Sequence, residues 1–452
     1  MFKHEITILK DTFVRLLRRN AQTNLIKLIN KTHPADLAIL FRYFDEDQQL
    51  QLFKLMNNNE YTLEFLIELD DILIEKLLNH ENSNEIAKLI KEASTNDQRY
   101  ILEALKEDQA QSVMQLLEID EKEEIEEIMS YPEDSAGSLM STDIFTLHQN
   151  TNCGDALKAI QDQKEAEMVF YLYITNDDNS LEGVASLRTL ATTPHDTILK
   201  EIMIKKVHSV RPEMDQEDVA QIVAQYNYLA VPVVDIDNKL LGIVTVDDVV
   251  DVIREEATED FLKMAGAGKD REILLKSSWE NVKARIPWLF ASWVGGIIAA
   301  SIIGIFENML ENIIILTAFI PVIIGMGGNI GTQSSTIIVR GMATGRIELG
   351  NELKILLKEL KIGLILGILY GFLLGLFANF KFMETDPMIG LVVGLSICSS
   401  MLLATGVGTF SPLLLRKLDI DPAVATGPFV TTSIDILGVL LYFIIAGSLL
   451  TF

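Results

Sequence analysis

The stretch FVTTSIDILGVLLYFII, residues 429–445, is almost wholly apolar and nearly long enough to cross a bilayer. It contains a single carboxylate, that of Asp435. An ionised side chain at the centre of a membrane costs about 3 kcal/mol on insertion scales, so such a residue usually marks a functional site. The stretch therefore predicts a membrane-spanning helix with one functional acid.

Long runs without Asp, Glu, Lys or Arg fill the C-terminal part of the 452-residue chain. A helix needs about 20 apolar residues to cross the hydrocarbon core, so these runs predict five spans. Five spans leave a single chain little room to enclose a pore, which favours a homodimer with a shared interface. The runs, of which the last contains only Asp435, cover residues 287–306, 312–339, 362–380, 387–415 and 422–452.

Acidic residues are concentrated in the other part of the chain. The net charge is −26, and residues 285–452 contain ten acidic and nine basic residues, a net charge of −1. Residues 1–284 therefore carry a net charge of −25. Such an excess of acid argues against nucleic-acid binding and favours cationic partners, unless it serves solubility alone. We expect an acidic soluble half joined to a nearly neutral half in the lipid bilayer.

The loops between the predicted spans differ in charge. Lys and Arg residues precede the first span and lie between the second and third and between the fourth and fifth spans, whereas the opposite loops are mainly acidic. The positive-inside rule therefore predicts an N-terminus in the cytoplasm and a C-terminus outside. The first residues lack the apolar run of a signal peptide, which also predicts a cytoplasmic soluble half.

The first part of the soluble half has a helical pattern. Apolar residues recur at helical spacing in residues 1–130, and no glycine occurs before Gly137. Strand-like patterns are not evident there. We therefore expect residues 1–136 to form an all-α domain of stacked short helices.

A weak internal repeat follows the helical segment. Met140 aligns with Met203 and Gly183 aligns with Gly242, and each copy ends in a strand-turn-helix pattern. Two tandem α/β units are the expected structure. They resemble a pair of CBS domains, a regulatory module, with boundaries predicted at 137–200 and 201–253.

Some CBS pairs bind adenine nucleotides through a threonine and an aspartate that follow the glycine. Thr245 and Asp248 match this pattern in the second copy, whereas the first copy has Ser186 and Thr189 and no acid to hold a ribose. The resemblance implies ATP as a candidate ligand. A purely structural pair is the alternative.

Acidic side chains recur every fourth residue in the segment that joins the repeat to the first span. On a helix they share one stripe, where like charges destabilise the helix by a few tenths of a kcal/mol per pair. The stripe is either a solvated acidic face or a surface that divalent cations neutralise, and oxygen ligands suit magnesium or calcium. The stripe residues and those that flank it are Asp247, Asp251, Glu255 and Glu259, with Asp248, Glu256 and Asp260.

The position of this stripe favours the cation-binding interpretation. The segment is the only covalent link between the sensor-like half and the predicted membrane half. Gly266 and Gly268 would give it a hinge.

Glycine and polar residues crowd the second predicted span, in GMGGNIGTQSSTIIVRG, residues 325–341. Four glycines within seven positions make a poor regular helix. Small residues would also allow close helix packing, which is the simpler interpretation. Six polar residues among eight exceed what packing needs, so we expect a polar, glycine-broken backbone that lines a water-filled cavity.

Four motifs taken together resemble the MgtE family of bacterial magnesium channels and transporters. The resemblance extends over essentially the whole chain. It implies a homodimer in the bacterial inner membrane, with an acidic N-terminal superhelical domain, a CBS pair, a connecting plug helix at 254–284 and a five-helix transmembrane domain at 285–452. The motifs are the second-span motif, DPAVATGPFVTTSIDILG (421–438), TVDDVVDVIREEATED (245–260) and HPADLA (33–38).

The resemblance also implies roles for individual residues. Asp435 would be the pore carboxylate of each subunit. Some relatives have asparagine at the positions of Thr332 and Gly427, so the lining of the pore entrance differs in this chain. The other residues near the ion path would be Asn329, Gln333, Thr336 and Thr431. The cytosolic magnesium sites would use Asp247, Asp248, Asp251, Glu255, Glu256, Glu259, Asp260 and Glu217.

The sequence thus predicts magnesium-selective transport through a dimeric pore that closes when cytosolic magnesium binds the acidic region. A transporter of another divalent cation, such as cobalt or manganese, and a nucleotide-regulated channel are the alternatives. The sequence has no cluster of His or Cys that would favour a soft metal. It shows no nucleophile–base pair or phosphate loop, so we do not expect an enzyme.

Overall fold

The chain folds into two compact units, Met1–Val252 and Ile253–Phe452. The boundary between them falls inside one long helix. The computed structural model describes residues 3–56, 59–91, 93–162, 171–268, 276–347, 350–382, 386–418 and 420–450.

Short helices build the first part of the first unit. Their inner faces contribute one core of Leu, Ile and Phe side chains, in which the rings of Phe41 and Phe65 meet edge to face with 4.6 Å between centroids. The predicted all-α domain is confirmed for the described residues. The helices are α1 (Lys3–Arg18), α2 (Gln22–Ile29), α3 (Pro34–Phe41), α4 (Glu46–Phe53), α5 (Asn59–Ile67), α6 (Asp71–Leu78), α7 (Ser83–Ile90), α8 (Thr95–Ala104), α9 (Glu107–Met114) and α10 (Ile119–Ser130).

The second part of this unit is the predicted α/β pair. The elements are α11 (Ala136–Leu139), β1 (Thr146–His148), α12 (Cys153–Asp162), β2 (Tyr171–Thr175), β3 (Leu181–Ser186), α13 (Leu187–Thr192), α14 (Leu199–Ile202), α15 (Gln216–Tyr226), β4 (Ala230–Val234) and β5 (Leu240–Thr245). In the first sheet β1 runs parallel to β2, which pairs antiparallel with β3, and in the second sheet β4 pairs antiparallel with β5.

A methionine near the start of each repeat packs against the sheet of the other repeat. A Cβ atom on Gly242 of the second copy would lie 2.7 Å from Sδ of Met140 in the first copy. A Cβ atom on Gly183 of the first copy would lie 3.0 Å from Sδ of Met203, at the start of the second copy. Each methionine therefore packs where the other copy's sheet has a glycine. This explains why the methionines and the glycines align in the repeat.

The connecting segment predicted at 254–284 is not one helix. Helix α16 (Val246–Met264) ends before Gly266, whose φ of +66° favours glycine and turns the chain. Residues 269–275 of the predicted segment lie outside the described residues. A new helix begins at Ser278, where the Ser277 hydroxyl oxygen accepts a hydrogen bond from the backbone N–H of Glu280.

Within the described residues, five helices of the second unit are long and apolar enough to cross a membrane, as predicted. Short 3₁₀ helices precede the second and the fifth of them, at Ile314–Phe319 and Pro422–Ala425. The spans extend beyond the charge-free runs at several ends. They are α17 (Ser278–Ile305), α19 (Ile320–Ala343), α20 (Glu352–Phe382), α21 (Ile389–Lys417) and α22 (Gly427–Leu449), and the short α18 (Glu307–Asn312) follows the first.

The expectation of a glycine-broken second span is wrong. Helix α19 is continuous, because its glycines let neighbouring helices approach closely. A Cβ atom on Gly327 would lie 3.0 Å from Oγ of Ser400 in α21 and 3.0 Å from Ile434 in α22. The backbone at Gly331 packs directly on Gly408 of α21. Tertiary packing thus outweighs the low helix propensity of glycine.

Candidate ion path and acidic clusters

Asp435 lies beside a glycine of the second span. Asp435 and Thr431, four residues apart on α22, share one face of that helix and are partly buried. A Cβ atom on Gly328 of α19 would lie 3.9 Å from Oδ1 of Asp435 and 4.0 Å from Cγ2 of Thr431. The missing side chain at Gly328 therefore leaves space in front of the carboxylate.

Within the described residues Asp435 has no protein counter-charge, because no lysine, arginine or hydrogen-bond donor there is paired with its carboxylate. Thr431 differs, because its hydroxyl donates to the carbonyl oxygens of Gly427 (3.1 Å) and Pro428 (3.3 Å) in the preceding turn. Thr431 thus stabilises the start of α22, whereas no such hydrogen bond to the carboxylate one turn later occurs among the described residues.

The remaining residues of the predicted ion path lie on one face of α19. Asn329 and Gln333 are exposed in the single chain and Thr336 is partly exposed. The opposite face of the helix, which carries Ser334 and Ser335, is buried against the other spans. A polar, uncovered face on a membrane-spanning helix is unfavourable in lipid, so it needs water or a partner.

A second acidic group lies within the second unit, at the end of α16. The ammonium group of Lys263 donates to Oε1 of Glu259 and to Oδ2 of Asp421, at 2.5 Å each. The other carboxylate oxygen of Asp421 accepts a hydrogen bond of 2.8 Å from the backbone N–H of Ala423 and caps the short 3₁₀ helix there. Lys263 therefore holds two acids that are far apart in the sequence.

Asp260 belongs to the same group. Burial, reinforced by the negative charge of Asp421, raises the pKa of Asp260 from its ordinary value of 3.8 to about 6, although Lys263 and Arg340 act in the opposite direction. Burial would lower the pKa of Lys263, but its hydrogen bonds to Asp421 and Glu259 outweigh this and raise it. The negative charges of Asp421 and Glu259 thus act on Asp260, and an additional cation nearby would stabilise the ionised form of Asp260.

The end of α16 and the start of α22 touch through glycines. A Cβ atom on Gly427 would lie 2.7 Å from the carbonyl oxygen of Met264. A Cβ atom on Gly266 would lie 2.9 Å from the ring of Pro428. Glycine at position 427 therefore permits a backbone approach that a larger residue would prevent.

A third acidic group lies within the first unit. Asp248 accepts hydrogen bonds from the backbone N–H (3.0 Å) and the hydroxyl group (2.5 Å) of Thr245. Burial raises the pKa of Asp248, and the nearby charges of Asp97 and Asp247 add to the rise. Burial likewise raises the pKa of Asp97, with a contribution from Asp143. Acids from α8, from the loop before β1 and from α16 therefore repel one another.

The structure divides the predicted cytosolic residues into separate places. Asp248 lies in the group of the first unit, and Glu259 and Asp260 lie in the group of the second. Asp247, Asp251 and Glu255 are exposed on α16, whereas Glu256 and Glu217 are partly buried. Among the described residues no three His, Cys, Asp or Glu side chains converge closely enough to hold a metal by themselves.

Three acids in these groups were not predicted from the sequence. Asp421 precedes a proline and caps a 3₁₀ helix, which was a detectable turn signal but not a metal signal. Asp97 and Asp143 have no distinguishing pattern, since their role depends on contacts with a residue more than a hundred positions away.

Family models match three parts of the chain. A divalent cation transporter model, MgtE, matches residues 320–445. The model of the MgtE intracellular N domain matches residues 32–134, and the CBS domain model matches residues 136–195 and 199–255.

Curated relatives are similar over most of their length. A protein named magnesium transporter MgtE from Bacillus subtilis is 32% identical over 434 residues, 96% of this chain and 95% of that protein. Proteins of the same name from Enterococcus faecalis and Thermus thermophilus are 36% and 37% identical, each over 72% of both chains.

Two solved structures resemble the soluble half. The soluble part of a magnesium transporter has a TM-score of 0.50 and 29% identity, and covers 56% of this chain and 99% of its own. The cytosolic domain of the Mg²⁺ channel MgtE in complex with ATP has a TM-score of 0.51 and 30% identity, and covers 54% of this chain and 99% of its own. With the intracellular N domain, the CBS pair and the five-helix membrane unit all present, the chain belongs to the MgtE family of magnesium transporters.

Proposed function

We propose that this protein transports magnesium across the bacterial cytoplasmic membrane through a pore shared by two identical subunits. The observation that carries the proposal is the carboxylate of Asp435. It is partly buried in a membrane-spanning helix, faces the space left by Gly328 and has no basic partner among the described residues. The names of the curated relatives support magnesium as the transported ion.

In a dimer, the two Asp435 side chains, each unfavourable on its own in the membrane, would together form a cation-binding site. Two Asp435 carboxylates facing each other across a two-fold axis would attract a divalent cation more strongly than a monovalent one. Magnesium dehydrates reluctantly, so the pair would hold a hydrated ion through its waters. The uncovered faces of Asn329 and Gln333, with Thr336, would line the wet passage on either side. Cobalt or manganese transport is the alternative that the same oxygen ligands permit.

Cytosolic magnesium would close the pore by binding the acidic groups. In the second unit the ion would bind near Asp260 and Asp421, where it would hold the end of α16 against the start of α22. In the first unit it would relieve the repulsion among Asp97, Asp143 and Asp248. Each group supplies two or three carboxylates, which suits magnesium because it usually keeps several of its waters. The N-terminus would lie in the cytoplasm and the C-terminus outside.

Nucleotide binding is a secondary proposal. The solved relative that contains ATP supports the idea that the CBS pair can hold a nucleotide. In this chain, however, Thr245 and Asp248 are hydrogen-bonded to each other, and the Ser186 and Thr189 hydroxyl oxygens of the first copy lie 2.8 Å apart. A bound nucleotide would have to replace these local bonds, so we assign the main regulatory role to magnesium.

Magnesium uptake into proteoliposomes tests the proposal. Asp435→Asn should abolish uptake, because the neutral amide cannot attract the dication, while the dimer stays intact in size-exclusion chromatography. Glu311→Gln, which neutralises an exposed acid on α18, is the matched control and should transport normally. Cobalt and manganese added as competitors report the selectivity. Normal uptake by the Asp435→Asn variant would refute the proposed pore.

A further inference from the structure

One buried acid of the membrane unit has no role in the function proposed above. Glu359 lies in α20 and is 7% exposed. The hydroxyl group of Ser334 in α19 donates a hydrogen bond of 3.3 Å to its Oε2. Within the described part of the chain no lysine or arginine forms an ion pair with it. Among the described residues, the hydrogen bond from Ser334 is therefore the one recorded interaction that offsets the cost of burying this carboxyl group.

Helix geometry brings further hydroxyl groups to the same level. Gly363 of α20 packs directly on Thr405 of α21, and the two helices are antiparallel, since Gly371 and Gly375 meet residues progressively earlier in α21. One turn back from Gly363 is Glu359, and one turn forward from Thr405 is Thr409. Glu359 and Thr409 therefore lie in one layer between the two helices.

Helix α19 reaches this layer through its glycine contact. The backbone of Gly331 packs on Gly408, the neighbour of Thr409, and Ser334 and Ser335 occupy the next turn of α19. Ser335 and Thr409 are both 0% exposed, and their hydroxyl groups have no hydrogen-bond partner among the described residues. Three spans thus meet around a buried polar layer in which Glu359 is the only carboxyl group described.

The layer lies directly behind the polar face of α19. Successive residues of an α-helix point about 100° apart, so a bond at Ser334 fixes the directions of its neighbours Gln333 and Ser335. Thr336 is two residues further along. If the bond between Ser334 and Glu359 were lost, α19 could rotate or shift, and the side chains that face the ion path would move with it.

We propose that Glu359 is a positioning residue for transport: its buried carboxyl group holds α19 through Ser334 and thereby sets the Gln333 and Thr336 face of the ion path. The inference rests on the proposed transport function and extends it to a residue that does not touch the ion. The hydrogen-bond acceptor, rather than the negative charge, does the positioning. A glutamine at this position therefore keeps the function and an alanine does not.

Uptake kinetics in proteoliposomes containing the full-length protein test this. Glu359→Ala and Ser334→Ala should each lower the maximal rate five- to tenfold, with the half-saturating magnesium concentration unchanged, because the ion-binding Asp435 is intact. Glu359→Gln should stay within twofold of the unaltered protein. The double variant should be no slower than the slower single variant, since both substitutions remove the same bond. Glu352→Ala, on the same helix and paired with Lys417, and Ser301→Ala, an exposed hydroxyl group in α17, are the controls and should change the rate less than twofold.

Three results would overturn the assignment. They are a loss with Glu359→Gln equal to that with Glu359→Ala, additive losses in the double variant, and a raised half-saturating concentration with an unchanged maximal rate. Should Glu359→Ala fail to assemble, the comparison of Ser334→Ala with Glu359→Gln still decides between a hydrogen bond and a charge. Asp435→Asn in the same assay tests the proposed pore separately from the proposed role of Glu359. A loss of uptake in this variant reports on the pore and not on Glu359.

Discussion

The two halves of this chain use acidic residues in opposite ways. Residues 1–284 carry a net charge of −25, and many of their acids, such as Asp247, Asp251 and Glu255, are exposed to water and to ions that screen their repulsion. Residues 285–452 nearly balance their charges, yet Asp435 and Glu359 lie among apolar helices. In the first half, the effect of the acids is the sum of many weak electrostatic interactions. In the second half, the effect of each acid depends on its own immediate surroundings.

The largest expected effect comes from filling the space beside Asp435. Gly328→Leu should reduce uptake about 100-fold or more, because the side chain would occupy the space in front of the carboxylate and exclude a hydrated ion, the way a pore lining sets selectivity. The Cβ atom itself fits, with contacts of 3.9 and 4.0 Å, so Gly328→Ala should be tolerated far better.

The control for this series is Gly304→Leu, where a Cβ atom meets nothing within 4 Å. It should leave uptake unchanged in the same proteoliposome assay. Equal uptake by Gly328→Leu and the unaltered protein would show that the space beside Asp435 is not part of the ion path. The surroundings of Asp435 would then not determine transport, and the two halves would not differ in the way described.

Most of the membrane fold could be predicted from the sequence, because hydrocarbon excludes charge and charge-free runs therefore mark spans. The ends of the spans could not. Helix α17 begins nine residues before the predicted start at 287, since its first turns carry both charged and apolar side chains. The continuity of α19 also escaped prediction, because it depends on which helices pack against its glycines and not on local propensity.

The sequence predicts a residue of the candidate site only where that residue differs clearly from its neighbours in the chain. Asp435 stands out because its surroundings in the sequence are apolar. Asp421 and Asp97 do not, because they act by proximity to Asp260 and Asp248, which are far away along the chain. Sequence patterns contain little information about such contacts, and a single sequence offers no covariation to supply it.

The acidic group around Asp260 should respond in two opposite directions to two substitutions. Asp421→Asn removes one of the carboxylates proposed to bind magnesium and should raise the cytosolic magnesium concentration needed for half-closure about tenfold, which corresponds to about 1.4 kcal/mol. Lys263→Met removes the ammonium group that would compete with the proposed magnesium ion for Glu259 and Asp421, so it should lower that concentration. Inhibition of uptake by magnesium on the cytosolic side measures both.

Asp386→Asn is the matched control for this pair, because Asp386, like Asp421, precedes a proline and accepts a hydrogen bond (2.7 Å) from the backbone N–H two residues later, that of Met388. It should not change the half-closing concentration. A shift in the same direction for Asp421→Asn and Lys263→Met would mean that the ion pair itself, and not a bound magnesium ion, holds the end of α16.

A change of pH should have a smaller effect, on the packing of the end of α16. The pKa of Asp260 is raised from 3.8 to about 6, so the packed arrangement binds this proton more tightly than an exposed carboxyl group does. Its stabilising contribution is therefore complete below pH 3.8 and is lost as the pH rises through 6. In magnesium-free buffer, the rate of limited trypsin digestion within residues 245–285, divided by the rate for an unfolded substrate at the same pH, should fall severalfold when the pH falls from 7 to 5.5.

Asp260→Asn should remove this pH dependence and give slow cleavage at both pH values, because the amide is always neutral. Asp386→Asn should retain it. If the cleavage rate of the Asp260→Asn variant, corrected in the same way, still fell at low pH, another titrating group would control the end of α16.

The smallest effect should come from Asp97. Its raised pKa reflects burial and the charge of Asp143, so Asp97→Asn relieves repulsion with Asp143 and Asp248 and should stabilise the magnesium-free protein by about 0.5 kcal/mol, the size of a partly exposed charge interaction. The midpoint temperature of thermal unfolding in chelator should then rise by about 1–2 °C, and the further rise on adding magnesium should become smaller.

Asp178→Asn, on an exposed turn of the same unit, is the control and should change neither value. A full magnesium response in the Asp97→Asn variant would place the sensing in the second unit alone, and the many acids of the soluble half would then serve solubility and not regulation.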